Sequence, residues 1–199
     1  FDPISDSGAC KLTLNKWIVG KMAEATAEIA KGIESYRFNE AAAAAYQFTW
    51  GTFCDWYLEF AKPAFESDDA AAVAETKATA AWVLDQILTV LHPFMPYITE
   101  ELWDHIGGGT GPTALIDAAW PELDGFGDAA ATAEMDWVVR LISQVRSVRS
   151  EMNVPGGAEI PLILKNATDL ARHCVETHAP LIERLARLLS LDISDGEIP

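Results

Sequence analysis

The stretch Tyr36–Lys62, YRFNEAAAAAYQFTWGTFCDWYLEFAK, constrains the fold more than any other part of the chain. Ala42, Tyr46, Thr49, Phe53, Trp56 and Phe60 recur at steps of four and three, which predicts one stripe of an α-helix. Phe48, Trp50 and Thr52 widen the apolar surface, and only Gln47, Gly51, Asp55, Glu59 and Lys62 mark a polar face. A helix apolar over most of its circumference belongs at the centre of a bundle. Asn39 is expected to cap its start, with Glu40 favourable in the first turn. Pro63 is expected to end it, because proline disfavours helical geometry at the residue before it. The buried aromatic set predicted from this spacing includes Tyr46, Phe53, Trp56 and Phe60.

Other helices follow from the same periodicity. Thr13 is a cap for a first helix running to about Ser35, with Leu14, Ile18, Met22, Ala25, Ile29 and Ile33 as its inner face. The short link Tyr36–Phe38 makes the first two helices an antiparallel pair. Asp68 or Asp69 starts a third long helix whose stripe is Val73, Thr76, Ala80, Val83, Ile87 and Leu91. It stops at His92-Pro93, where two prolines bracket Phe94 and Met95 in a rigid corner. A short fourth helix runs through Glu100, Glu101 and Leu102 to Ile106 and ends at Gly107. The loop GGGTGP, residues 107–112, is not a phosphate loop, since no GK[ST] follows and a helix precedes it. Residues 113–128 read as irregular surface chain. A fifth long helix spans about Ala130 to Met152, with Met135, Val138, Ile142, Val145, Val148 and Met152 as its stripe.

Asn153-Val154-Pro155-Gly156-Gly157 breaks that helix and reads as a domain boundary. Beyond it the pattern changes. Residues 159–165, EIPLILK, form a strand candidate in which Pro161 points to an edge position. One or two helices are expected from Asp169 to Leu189, with Pro180 in a first turn. Leu191-Asp192-Ile193 is a second strand candidate. Two strands and a helix make a thin unit, whose partner strands are expected further along a parent chain. The expected organisation is thus a mainly α chain: a lead-in over residues 1–12, an antiparallel helical bundle over 13–152, and a small, incomplete α/β unit over 153–199.

Composition narrows the function. The net charge is −16, and residues 63–136 carry 14 acidic residues against the single basic Lys77. An anionic partner is expected to avoid that segment; an ordinary acidic solvated face explains the asymmetry equally well. Cys10, Cys54 and Cys174 lie far apart with no CxxC, which reads as free thiols in a reducing compartment. No apolar run approaches the ~18 residues of a membrane span. The N-terminus shows no signal-peptide pattern and no initiating Met, so the chain reads as a piece of a longer protein.

Catalytic and metal constellations are not found in the sequence. His92, His105, His173 and His178 give neither HExxH nor a zinc spacing with cysteine. His92 reads as a helix-end residue that satisfies the last carbonyls, and Glu100 and Glu101 as first-turn acids that complement a helix dipole. The basic residues with neighbouring aromatics are a better lead. Lys16, Trp17 and Lys21 start the first helix, Arg37 and Phe38 start the second, and Arg146 and Arg149 lie near the end of the fifth. Aromatic stacking on unpaired bases with cations on phosphates is how single-stranded RNA is held. The plainer reading makes Trp17 and Phe38 core residues.

The segments LNKWIVGKM, YRFNEAAAAAYQFTWGTFCDWYLEFAK, LHPFMPYITEELW and SVRSEMNVPGGAEIPLILK occur here in the order found in the valyl-tRNA synthetase family. Nearly the whole chain resembles the region of that family just after the catalytic domain, more than it resembles the isoleucine and leucine relatives. The resemblance implies an α-helical anticodon-binding bundle, then a small junction domain and a C-terminal coiled-coil arm. It implies a tRNA anticodon stem-loop and the remainder of the same polypeptide as partners, a cytoplasmic monomer, and ATP as the cofactor of the parent catalytic domain. The HIGH and KMSKS motifs of that domain do not occur, so no catalytic, cofactor or metal residue is assigned here. Lys16, Lys21, Arg37, Phe38, Arg146 and Arg149 are the expected tRNA-facing residues. Family arginines often flank the first helix where Lys16 and Lys21 stand, which keeps the charge but loses the planar fork. The competing readings are the same bundle from an isoleucyl- or leucyl-tRNA synthetase, and a stand-alone helical module that docks a protein.

Overall fold

A computed structural model describes residues 10–106, 114–194 and 196. The expected lead-in up to residue 9 and the glycine loop 107–112 therefore lie outside the described residues. The chain divides into two compact units, Phe1–Thr132 and Ala133–Pro199. Both are mainly helical, and the second carries a small parallel sheet.

In the first unit, α1 spans Thr13–Glu34 and packs on α2, Phe38–Tyr46. The helix that begins as α2 continues through a π-helical stretch, Gln47–Tyr57, into α3, Leu58–Phe65. Helix α4, Ala70–Leu91, packs on α1 and α3, and α5, Pro96–Ile106, packs on α4. A short 3-10 turn follows at Leu115–Asp117, and α6 begins at Ala129. Gly32 explains how closely α1 and α2 meet: a Cβ there would come within 2.8 Å of the Ala41 Cβ. Trp17, Ile18, Met22 and Ile29 of α1 are buried, together with Phe53, Tyr57 and Phe60 of the second helix and Val83 and Ile87 of α4.

The central helix departs from the predicted stripe. Its buried residues are Ala41, Ala44, Ala45, Phe48, Phe53, Tyr57, Phe60 and Ala61. The step of five from Phe48 to Phe53 falls in the π-helical stretch, whose i→i+5 bonding inserts one residue into the helical repeat. Upstream of that insertion the buried stripe stands one residue earlier than an uninterrupted α-helix requires. Tyr46 is consequently 65% exposed; after Phe53 the buried stripe takes a step of four, so Tyr57 is fully buried and Trp56 half-buried. Pro63 does not end the helix either; it sits inside α3, where only the last turn loses an amide donor. Nor does Asn39 cap α2, because the helix starts one residue before it, at Phe38.

A polar cluster joins the starts of α1 and α4. The Glu75 Oε1 accepts the backbone N–H groups of Lys11 (3.0 Å) and Leu12 (2.9 Å) and the Asn15 amide (3.0 Å). Tyr57 donates its hydroxyl to Asn15 Oδ1 at 3.0 Å. Burial, above all, and the neighbouring Cys10 and Glu75 push the Tyr57 phenol far up, so it stays a donor. Thr13 is not the cap of α1; the cap position is Leu12, whose side chain offers no acceptor, and Glu75 supplies one from across the bundle. Asp69 does cap α4, accepting from Ala71 and Ala72, as its spacing predicts.

His92 ends α4 at its C-cap as expected, but Glu100 and Glu101 lie beyond the first turn of α5, which starts at Pro96. His92 Nδ1 lies 2.9 Å from Thr99 Oγ1, so it ties the corner to α5. Glu100 accepts the N–H groups of Leu115 (2.8 Å) and Ile116 (3.2 Å), pinning the returning chain, where Leu115 closes a small core with Leu88 and Trp103.

In the second unit, α6 runs on to Glu151, and β1, Ile160–Lys165, pairs in parallel with β2, Leu188–Ser194, across α7, Asp169–Ala186. The register shifts between Ile160 and Pro161, where proline has no amide to offer the ladder. Pro180 lies inside the single helix α7, which Thr168 starts by accepting from Ala171. The Glu134 carboxylate meets His178 Nε2 at 2.6 Å and His173 Nε2 at 3.4 Å, a grouping of α6 with α7 that the sequence does not announce. Among the described residues no cluster of three or more ligating side chains suited to a metal is present, and no helix is long and apolar enough to cross a membrane.

Candidate nucleic-acid interface

The turn between α1 and α2 carries the most exposed aromatic pair next to a cation. Helix α1 ends in a pair of reversed hydrogen bonds: Arg37 N–H donates to the Gly32 carbonyl at 2.8 Å and Tyr36 N–H to the Ile33 carbonyl at 3.0 Å. This closure needs a left-handed residue, usually glycine. Here Tyr36 takes that role with φ of 58°. The Tyr36 side chain is 82% exposed and Phe38 is 54% exposed. The two rings meet edge to face, 6.2 Å between centroids at 90°. Arg37 lies between them in sequence, its guanidinium 3.0 Å from Glu40 and its Nε donating to Ser35 Oγ at 3.3 Å.

Phe38 is thus the first residue inside α2 and its ring partner is Tyr36. Packing of Phe38 on Ala43 as a hydrophobic staple would need Phe38 to precede the cap and Ala43 to be covered, but Ala43 is exposed. Tyr36 was the residue that sequence reasoning missed. Its signal is a tyrosine standing where the helix-ending motif favours glycine, and that becomes visible only once the φ angle is known.

The remaining expected contact residues are not gathered at this turn. Lys16 pairs with Asp128 at 3.2 Å, and Asp128 also accepts the N–H groups of Ala130 and Ala131 to start α6. The Ala131 N–H, then Lys16, hold the Asp128 carboxyl below the usual carboxylate range. Lys21 pairs with Glu24 at 3.2 Å. Both lysines lie in the first half of α1, roughly 20–30 Å along the axis from its end beside Arg37 at ~1.5 Å per residue.

In the second unit, Arg146 and Arg149 both grip backbone. Arg146 donates from Nε (3.1 Å) and Nη2 (2.9 Å) to the Leu185 carbonyl. Arg149 is 7% exposed and donates to the carbonyls of Arg187 (3.1 Å), Pro155 (3.3 Å) and Ala158 (2.7 Å). These bonds satisfy carbonyls at the end of α7 and in the break after α6, groups a helix end leaves without partners. The periodicity of α6 concealed this: Val148 and Met152, placed on the predicted stripe, are exposed, and Arg149 is buried in their stead.

An α-helical unit that displays paired aromatics beside a cation at a helix turn is equipped to hold unpaired bases. The chain belongs to the anticodon-binding domain family of tRNA ligases, which matches residues 15–164. Among its curated relatives it is 50% identical over 180 residues to the valine–tRNA ligase of Brucella suis, covering 89% of this chain and 20% of that protein. It is 48% identical over 199 residues to the valine–tRNA ligase of Caulobacter vibrioides, covering 98% of this chain and 22% of the relative. With the valine–tRNA ligase of Rhizobium meliloti it shares 46% identity over 189 residues, 92% of this chain and 20% of the relative. The chain therefore spans about one fifth of the length of these relatives.

Proposed function

We propose that this chain is the part of a valine–tRNA ligase that engages the anticodon stem-loop of tRNA(Val). ATP-dependent attachment of valine is then carried out elsewhere in the same polypeptide, a cytoplasmic monomer in which residues 13–152 serve as the RNA-binding bundle and 153–199 open a junction domain. Placing the chemistry outside this chain is supported by its lack of the HIGH and KMSKS motifs. The observation that carries the RNA reading is the turn at Tyr36–Phe38. A left-handed tyrosine costs about 1–2 kcal/mol relative to glycine, and an 82%-exposed ring recovers little of that by packing. A stacked base gives that ring a use.

The test is made in the full-length ligase that carries this chain. Tyr36→Gly and Phe38→Ala should each weaken tRNA(Val) binding about five- to a hundredfold, the ~1–3 kcal/mol of one stacked base. Tyr36→Gly should leave the melting temperature unchanged or raise it, since glycine suits the left-handed turn. A lowered melting temperature with tRNA affinity intact in the folded fraction overturns the stacking assignment. The competing reading, a helical module that docks a protein, predicts partner binding that is insensitive to salt, whereas phosphate contacts weaken steeply with it.

A further inference from the structure

We propose that the arginine-lined cleft of the second unit is a binding site for a phosphate of the RNA backbone. The proposal rests on the RNA reading above and adds to it a second contact region and one residue, Arg187, that neither the motifs nor the periodicity single out. The cleft has a volume of about 270 Å³ and is lined by Arg146, Arg149, Ser150, Val154, Gly156 and Arg187, among others. Three arginines therefore line one small space.

Among the described residues the charges of Arg149 and Arg187 are not neutralised by a carboxylate. Acids near in sequence are turned to other partners: Glu151 accepts from Ser147 Oγ at 3.0 Å, and Glu183 accepts the Leu191 N–H at 3.1 Å. Arg149 is buried, and carbonyl dipoles alone answer it. A guanidinium does not lose its proton in a protein, so burial cannot discharge it. It has five N–H donors, and three hydrogen bonds to carbonyls leave donor capacity for a further acceptor. Arg187 is the second anomaly. It stands in the left-handed region with φ of 54° where α7 gives way to β2, a site at which glycine would be unstrained. Its carbonyl is held by Arg149, and the residue lines the cleft and is exposed. An exposed arginine and a buried one without a carboxylate line the same cleft, and the paired N–H groups of a guanidinium match a phosphate's oxygens. Residues 63–136 hold 14 acidic residues against one basic, whereas the rest of the chain, which includes this cleft, holds 16 acidic against 13 basic residues.

Arg187→Gln removes one cleft charge and keeps a side chain of similar backbone preference. Arg140→Gln removes the same charge from an exposed site of α6 outside the cleft. Binding of tRNA(Val) by the full ligase polypeptide is measured against salt for wild type and both variants. The slope of log K against log salt should become shallower by about 0.7–0.9 in Arg187→Gln and stay unchanged in Arg140→Gln, the loss of one phosphate contact. In parallel, inorganic phosphate titrated into this chain should shift the amide resonances of Gly156 and Arg187 saturably, and Arg187→Gln should abolish the effect. Wild-type tRNA binding with equal slopes for wild type and Arg187→Gln overturns the cleft and leaves the anticodon-binding reading standing. Saturable phosphate binding without any tRNA binding by the wild type overturns the RNA source of the anion, and that reading with it.

Discussion

Tyr57→Ala should destabilise the helical unit by about 3–5 kcal/mol, whereas Trp56→Ala should cost about 1–2 kcal/mol. The contrast decides between two stripes that steps of three and four allow between Phe53 and Phe60, one through Trp56 and one through Tyr57. Tyr57 is 0% exposed, stacks on Phe53 at 5.5 Å and 21°, and gives its hydroxyl to Asn15. Removing it leaves a large cavity and orphans the Asn15 carbonyl oxygen, which is itself buried; both costs fall on the same variant. Trp56 keeps a tilted contact with Phe60, 5.6 Å between centroids, but is only partly buried. Urea unfolding checks the pair: the midpoint should fall far more for Tyr57→Ala, with similar slopes for both variants. An equal or larger loss for Trp56→Ala would put Trp56, and not Tyr57, on the buried stripe between Phe53 and Phe60.

The long helices were legible because apolar residues recurred at three and four over many turns, and that signal is averaged over several contacts. Asp69 was legible because a cap acts within three residues of itself. The insertion in the central helix was not, since a step of five between Phe48 and Phe53 looks in sequence like a slip that two alternative stripes can absorb. Pro63 and Pro180 were read as boundaries, yet a helix already held by packing tolerates the loss of one amide donor. The candidate interface divides the same way. An exposed Phe38 beside Arg37 could be inferred from its place at a helix start. The strain at Tyr36 and Arg187 could not, because it exists only in dihedral angles. Arg149 looked like a surface cation because its acceptors, at Pro155, Ala158 and Arg187, are carbonyls that no side-chain pattern reveals.

Glu75→Ala should cost roughly 3 kcal/mol, more than an average substitution on a helix that is otherwise half-exposed. The reason is that α1 has no cap of its own. Leu12 occupies the cap position without a side-chain acceptor, so the Lys11 and Leu12 amides and the Asn15 side chain all converge on one Glu75 oxygen. Hydrogen bonds to a charged acceptor are each worth about 1.5–3 kcal/mol, and a buried donor left unmatched costs about 1–3 kcal/mol. Not all of this is lost together. The Lys11 amide is solvent-exposed and can turn to water, whereas Asn15 is 0% exposed and cannot. Asn15 is also the acceptor for Tyr57, so loosening it reaches the central helix through the hydroxyl bond at 3.0 Å. Two comparisons isolate the mechanism. Glu75→Gln keeps an oxygen in place and should retain most of the stability. The double variant Glu75→Ala with Tyr57→Phe should cost less than the sum of its parts, because both substitutions break one connected network. Strict additivity in that cycle would show that Glu75 acts on the start of α1 alone, and not on the junction of α1, α4 and the central helix.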